Sequence, residues 1–154
     1  HMPAPLLFIV GAGHVGRAVA ELAHWLGHRT VVWDDRPEVL ESIEHADERH
    51  GGSIADALAS STISRAAAFV VVTRNVELDV DLLPSILATP AGYIGLMGSH
   101  RRWETTRAKL EDRGVTGANL DRVRSPIGID INAETPEEIA VSVLAEVIEH
   151  RSAS

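Results

Sequence analysis

The chain has 154 residues, the length of one domain, and 45% of them are hydrophobic, enough for a single sizeable core. Fourteen Lys and Arg against 22 Asp and Glu leave a net charge of −8, the wrong sign for gripping nucleic-acid phosphates. No apolar run approaches the roughly 20 residues that cross a bilayer, and the absence of cysteine removes disulfides, thiolate metal sites and cysteine nucleophiles together.

His1-Met2 reads as an expression remnant. The apolar segment that follows is too short for a signal-peptide core and has neither a basic flank nor a cleavage pattern, so a cytoplasmic protein is expected. That segment, 6–10, reads as a strand and breaks into Gly11-Ala12-Gly13-His14-Val15-Gly16, after which a helical pattern runs over 15–26. A G-x-G-x-x-G between a strand and a helix has a physical logic. Gly11 permits the tight turn, Gly13 lets the backbone approach a pyrophosphate, and Gly16 lets the helix pack closely on the strand. The helix start then offers unpaired N–H groups and the positive end of its dipole to the phosphates. His14, inside the loop, reads most simply as a variable position of the motif.

The next strand, 30–33, ends in Asp34, 23 residues after Gly11, where a carboxylate accepts hydrogen bonds from an adenosine ribose diol. The pairing points to a bound dinucleotide. Asp34 repels a 2′-phosphate and so favours NAD(H), with Asp35 beside it. Arg36 could instead clasp that phosphate, which keeps NADP(H) as the alternative. Further along come a weak edge strand at 47–50, a short helix at 54–59 and a strand at 69–72. Thr73 and Arg74 follow that strand and fall on the same carboxyl edge, with Glu77 and Asp79 behind them.

A helix over 80–87 and a strand over 93–96 lead to Gly98-Ser99-His100-Arg101-Arg102, a turn into a helix over 100–113. Cations in a first helical turn oppose the macrodipole by about 0.3 to 1 kcal/mol each. Either an anionic ligand compensates them or nearby carboxylates pair with them; both readings stay open. A short last strand at 122–125 precedes the loop Ser125-Pro126-Ile127-Gly128-Ile129-Asp130-Ile131-Asn132-Ala133-Glu134. Its acids Asp130 and Glu134 suit a ligand site or a set of loop caps. Thr135-Pro136-Glu137-Glu138 then combines a capping box with proline at the first helical position, starting a core-packing helix over 136–150. The histidines form no helical i, i+4 pair with a third ligand, and no metal site is assigned.

Short β-branched strands alternating with longer helices imply an α/β fold: a single doubly wound, Rossmann-like NAD(P)-binding domain over 1–154. Its sheet is expected to be mostly parallel, with five or six strands.

Taken in order, "FIVGAGHVGRAVAELAHWLGHRTVVWDDRPE", "VVVTRNVELD", "YIGLMGSHRRW" and "SPIGIDINAETPEEIAVSVLAEVI" resemble the C-terminal Rossmann domain of the xanthine dehydrogenase accessory protein family, XdhC/CoxI. The likeness covers nearly the whole chain. It places Gly11, Gly13, His14, Gly16, Asp34, Asp35, Arg36, Thr73, Arg74, Gly98, Ser99, Arg101, Arg102, Pro126, Gly128, Asp130, Glu134 and Thr135 on family motifs. It also implies a maturation role, in which molybdenum cofactor is bound, protected and delivered to an apo molybdenum hydroxylase of the xanthine dehydrogenase type. The family's cysteine-bearing N-terminal domain does not occur in this sequence, so either an excised domain or a stand-alone variant is expected. The Arg101 and Arg102 loop is then the segment suited to the pterin phosphate. A stand-alone NAD(P)-dependent oxidoreductase and an NAD(P)-sensing regulatory domain are the competing functions, and 154 residues leave little room for the substrate domain a dehydrogenase adds. An accessory role is therefore expected over catalysis, and a homodimer stays open.

Overall fold

A computed structural model describes residues 5–153; the His1-Met2 pair lies outside the described residues. In chain order the elements are β1 (Leu6–Val10), α1 (His14–Trp25), β2 (Arg29–Trp33), α2 (Pro37–Glu41), β3 (Glu48–His50), α3 (Ile54–Ala59), β4 (Ala68–Val71), α4 (Val76–Leu87), β5 (Tyr93–Leu96), α5 (His100–Asp112), α6 (Gly117–Leu120), β6 (Val123–Arg124) and α7 (Pro136–Ala153). The strands form one sheet in the order β3-β2-β1-β4-β5-β6, and every pairing is parallel. The direction of winding reverses between β1 and β4. The connections that follow β1 and β4 leave in opposite directions there, which opens a crevice at the carboxyl edge.

A strand buried on both faces reads as a continuous apolar run rather than an alternation, and β1 is such a strand. Phe8 and Val10 point into one core with Phe69, Val71, Leu83 and Leu110. Leu7 and Ile9 point into the other with Val19, Ala23, Val70 and Val143. The Phe8 and Phe69 rings meet at 5.0 Å between centroids. Helices α1 and α7 cover one face of the sheet while α3, α4 and α5 cover the other.

The six strands and five expected helices are present; 6–10, 54–59 and 93–96 keep their expected bounds, and the others have shifted ends. The largest shift is at α4, which begins four residues before position 80 because Asn75 caps it, its side chain accepting from Leu78 N–H at 2.9 Å. Glu77 and Asp79 therefore sit in a first helical turn, favourable for the dipole. Two short helices, α2 and α6, interrupt segments that carried no periodicity long enough to read. The expected start of α7 holds: Glu138 accepts from Thr135 N–H at 3.2 Å while Thr135 accepts from Glu138 N–H at 3.1 Å.

Two glycines of the first loop are demanded by this packing. Gly11 has φ +112°, and a Cβ there would lie 2.6 Å from the Val72 carbonyl oxygen. A Cβ on Gly16 would overlap the carbonyl oxygen of Gly11 itself. Gly16→Ala should therefore cost about 3 kcal/mol or more by overpacking, read as a lower midpoint in chemical denaturation. Gly13→Ala, whose methyl would meet only an Arg36 guanidinium nitrogen at 4.0 Å, should leave that midpoint within the spread of an ordinary surface change.

Candidate functional site

The carboxyl edge is organised around the glycine loop. Helix α1 starts at Gly13 with no side-chain cap and no acid in its first turn, so its leading N–H groups face the crevice unpaired. Gly13 is the one motif glycine with room above it: the nearest atom to a Cβ built there is an Arg36 guanidinium nitrogen at 4.0 Å. A cavity of about 320 Å³ opens at this point, lined by Gly13, His14, Arg17, Arg36, Val39 and Ser42 among others.

Asp34 stands at the tip of β2, buried at 2% exposure. One carboxylate oxygen accepts from the Ala12 N–H at 2.7 Å and the Arg36 guanidinium at 3.2 Å. The other accepts from the Arg36 N–H at 2.8 Å and its Nε at 3.1 Å. The carboxylate thus ties the glycine loop to β2 and is faced by a guanidinium. A ribose diol reaches it only once that guanidinium moves.

Beside this pair, Arg74 makes a two-pronged contact with Asp35 at 2.9 and 2.8 Å. Asp35 follows β2 and Arg74 follows β4, so their bridge passes across the end of β1, which lies between those strands. The Arg74 hydrogen bonds hold the Asp35 carboxyl down at about 2, from an ordinary 3.8.

The second loop divides its charges. Ser99 caps α5, its hydroxyl accepting from the Arg102 N–H at 3.1 Å. The Arg102 side chain turns inward to Asp79, donating at 2.8 and 3.2 Å, and also reaches Thr73 Oγ1 at 3.2 Å. Asp79 is fully buried, and its other oxygen takes the Thr73 hydroxyl. Burial pushes the Asp79 carboxyl up, against the opposing pull of Thr73 and Arg102. Of the two open readings of this turn, pairing with a carboxylate describes Arg102. Arg101 stays exposed and its guanidinium makes no hydrogen bond or ion pair among the described residues.

His100 faces a cavity of about 400 Å³ whose other wall is the 126–133 loop, including Asp130. Asp130 accepts from the Asn132 N–H at 3.4 Å, a long contact, and the Glu134 side chain is exposed. The structure therefore gathers the sequence-derived residues into two groups, one at the glycine loop and one at the α5 start, with the Thr73 hydroxyl and Asp79 behind both. Sequence reasoning missed two anchors. Asp79 reads as a loop acid until Asn75 is recognised as a cap. Glu146, on a helix read as apolar, accepts from the Tyr93 hydroxyl at 2.6 Å and the Gly128 N–H at 3.2 Å, which pins the 126–133 loop to α7.

Residues 7–147 match the model of the XdhC Rossmann domain. Among solved structures, a xanthine dehydrogenase from Bacillus halodurans is 33% identical with a TM-score of 0.83, over 98% of this chain and 45% of that one. A probable xanthine dehydrogenase component from Bacillus subtilis is 33% identical over 97% of this chain and 44% of its own length. The molybdenum cofactor insertion chaperone PaoD of Escherichia coli is 26% identical over 94% of this chain and 40% of its own. The chain spans 28% to 44% of the length of the curated relatives it matches.

Two tests follow from the ion pairs. Arg102→Gln leaves a buried carboxylate without its cation and should destabilise the fold by about 3 to 5 kcal/mol, with Asp79→Asn added to it recovering much of the loss in denaturant titration. For Asp35, a depressed folded value means that the stability it contributes is present above the unfolded value of 3.8 and is lost as pH falls toward about 2. The pair is partly exposed, so the gain is modest. In Arg74→Gln, the NMR-detected titration of Asp35 should move up toward the ordinary carboxylate range.

Proposed function

Because the chain belongs to the XdhC Rossmann-domain family, we propose that it is the nucleotide-binding domain of a molybdenum-cofactor maturation and insertion chaperone for xanthine dehydrogenase-type hydroxylases. The observation that carries the nucleotide part is the contrast among the three loop glycines. Packing demands Gly11 and Gly16, whereas above Gly13 a Cβ would meet nothing closer than the far end of the Arg36 side chain, at 4.0 Å. A side chain is absent there for the sake of a ligand. The uncapped start of α1 supplies N–H donors to a pyrophosphate at that spot, and Arg17 and Arg36 flank it. A nicotinamide dinucleotide would bring a hydride-carrying ring; this chain's residues bind and orient it. Asp34 takes the diol of NAD(H) when Arg36 swings aside, and Arg36 takes the 2′-phosphate of NADP(H).

For molybdenum cofactor the fit is narrower. With no cysteine, the chain offers no thiolate to the metal, so its hold runs through the pterin and its phosphate. His100 and Arg101 suit the phosphate, and the His100 to Asp130 cavity suits the ring. The name of PaoD supports this cargo, as the name of the Bacillus subtilis relative supports an apo hydroxylase as the recipient. The role is that of a cytoplasmic accessory protein.

Gly13→Val should weaken NAD(P)(H) binding by roughly tenfold or more, about 1.4 kcal/mol, with the thermal midpoint unchanged. Calorimetric titration of both proteins is the test, and equal affinity would overturn the reading. Arg36→Ala should raise the affinity for NAD relative to NADP by roughly tenfold, the worth of one charge-assisted contact to phosphate. An unchanged ratio would remove Arg36 as the residue that sets cofactor choice.

A further inference from the structure

The outer surface of the α1 and α7 layer carries a groove of about 480 Å³, lined on one side by His14, Arg17, Ala18, Glu21, Leu22 and Trp25 and on the other by the first turns of α7. The α1 residues recur at spacings of three and four, so they form one stripe along the helix. Val19, Ala20 and Ala23, on the opposite side of α1, go to the core. Trp25 is 80% exposed, and Val141 across the groove is 50% exposed. Among the described residues only Leu26 and Ile131 are further large apolar side chains left in solvent, and Leu26 follows Trp25 directly. A contiguous apolar strip edged by charge is the form an association surface takes.

The stripe is also ordered by charge: basic at His14 and Arg17, acidic at Glu21, aromatic at Trp25. Arg17 and Glu21 stand at i and i+4, yet the side chains make no hydrogen bond or ion pair among the described residues. Arg107 and Glu111, with the same spacing on α5, meet at 3.3 Å. A two-fold axis crossing α1 at right angles near its midpoint lays the helix antiparallel to its own copy. His14 then faces Trp25 of the other copy, and Arg17 lies within one residue's rise of the other Glu21. Side chains lean toward the N-terminus of their helix, so Arg17 of one copy and Trp25 of the other lean toward each other, as a cation–π contact requires. Symmetry makes each of these contacts twice. Ala18, the smallest side chain of the stripe, falls beside the axis and lets the helices approach. A parallel pairing would instead set Arg17 against Arg17 and Glu21 against Glu21.

We propose that this face binds a second copy of the chain, α1 against α1 in antiparallel register, with Trp25 of each copy seated in the groove of the other. His14 and Arg17 also line the cavity at the glycine loop, so the pairing brings the other copy's Trp25 to the outer wall of that cavity. It needs no dinucleotide and stands whether or not one binds.

Sedimentation velocity of the 154-residue chain over a dilution series is the test, and a monomer–dimer equilibrium is expected. Trp25→Ala should raise the dissociation constant by roughly tenfold or more, as loss of an interface tryptophan does. Arg17→Glu and Glu21→Arg should each raise it by roughly tenfold, because each sets like charges together across the axis. The variant carrying both reversals restores opposite charges and should recover most of the loss. Glu104→Gln, exposed on α5 at the other face of the sheet, should change nothing. All of these positions are exposed, so the thermal midpoints should stay level. A chain that is monomeric throughout the series would overturn the proposal and leave the face to a different partner. A dimer indifferent to Trp25→Ala would place the contact elsewhere and also overturn it. Single reversals that weaken the dimer without recovery in the double variant would overturn the antiparallel register.

Discussion

The carboxylate of Asp34 is the tie on which the carboxyl edge depends. It is buried, and it takes N–H groups from two different strand ends, Ala12 after β1 and Arg36 after β2. A buried carboxylate without such donors would cost several kcal/mol; with them, it holds the glycine loop in one conformation before any ligand arrives. Preorganisation of this kind reduces what binding must spend on ordering the loop. The same carboxylate sits where a ribose is read in folds of this type. On the proposed reading, structure and recognition compete for one group, and Arg36 is the element that moves.

A second tie, between Asp79 and Arg102, joins β4 and α4 to the start of α5. The Arg102 guanidinium reaches the Thr73 carbonyl at 3.3 Å as well as the carboxylate, so the end of β4 and the α5 cap are one unit. Buried ion pairs add little net stability against a hydrophobic substitute. What this one adds is position: Arg101 and His100, on the same helical turn, are presented to solvent and to the 126–133 loop. Glu146 fixes that loop from the other side.

The parallel sheet and the glycine loop were legible because each rests on a local pattern. Continuous apolar strands, a strand-to-helix glycine run and a capping box carry their meaning within a few residues. The charge pairs were not legible. In sequence Asp34 reads as a ligand-facing acid and Asp79 as a loop acid, while Glu146 carries no signal on a helix read as apolar. Their partners lie in chain segments brought together only by the fold: Ala12 is 22 residues from Asp34, Arg102 is 23 from Asp79, and Tyr93 is 53 from Glu146. The meaning of the three glycines was likewise only partly readable. The motif names all three, but only the packing separates Gly11 and Gly16, which the fold requires, from Gly13, which it does not.

This distribution of charge decides how an anion can enter the carboxyl edge. Arg36, Arg74 and Arg102 are each already neutralised by an aspartate, so a phosphate arriving there finds little free positive potential from them. It meets first the N–H groups of α1, which no side chain satisfies, and the exposed Arg17 at the cavity wall. Further contacts come by exchange, an arginine leaving its aspartate for the phosphate. Each exchange gains only the difference between two charged hydrogen bonds, which is small compared with either alone. On the proposed nucleotide-binding reading, affinity at this edge is set by backbone geometry around Gly13, while the arginine pairs sort ligands by where their phosphates fall. The bridge from Asp35 to Arg74, exposed and crossing the end of β1, is the pair a ligand can exchange at least cost. The Asp79 pair, buried beneath it, is the one the fold cannot release.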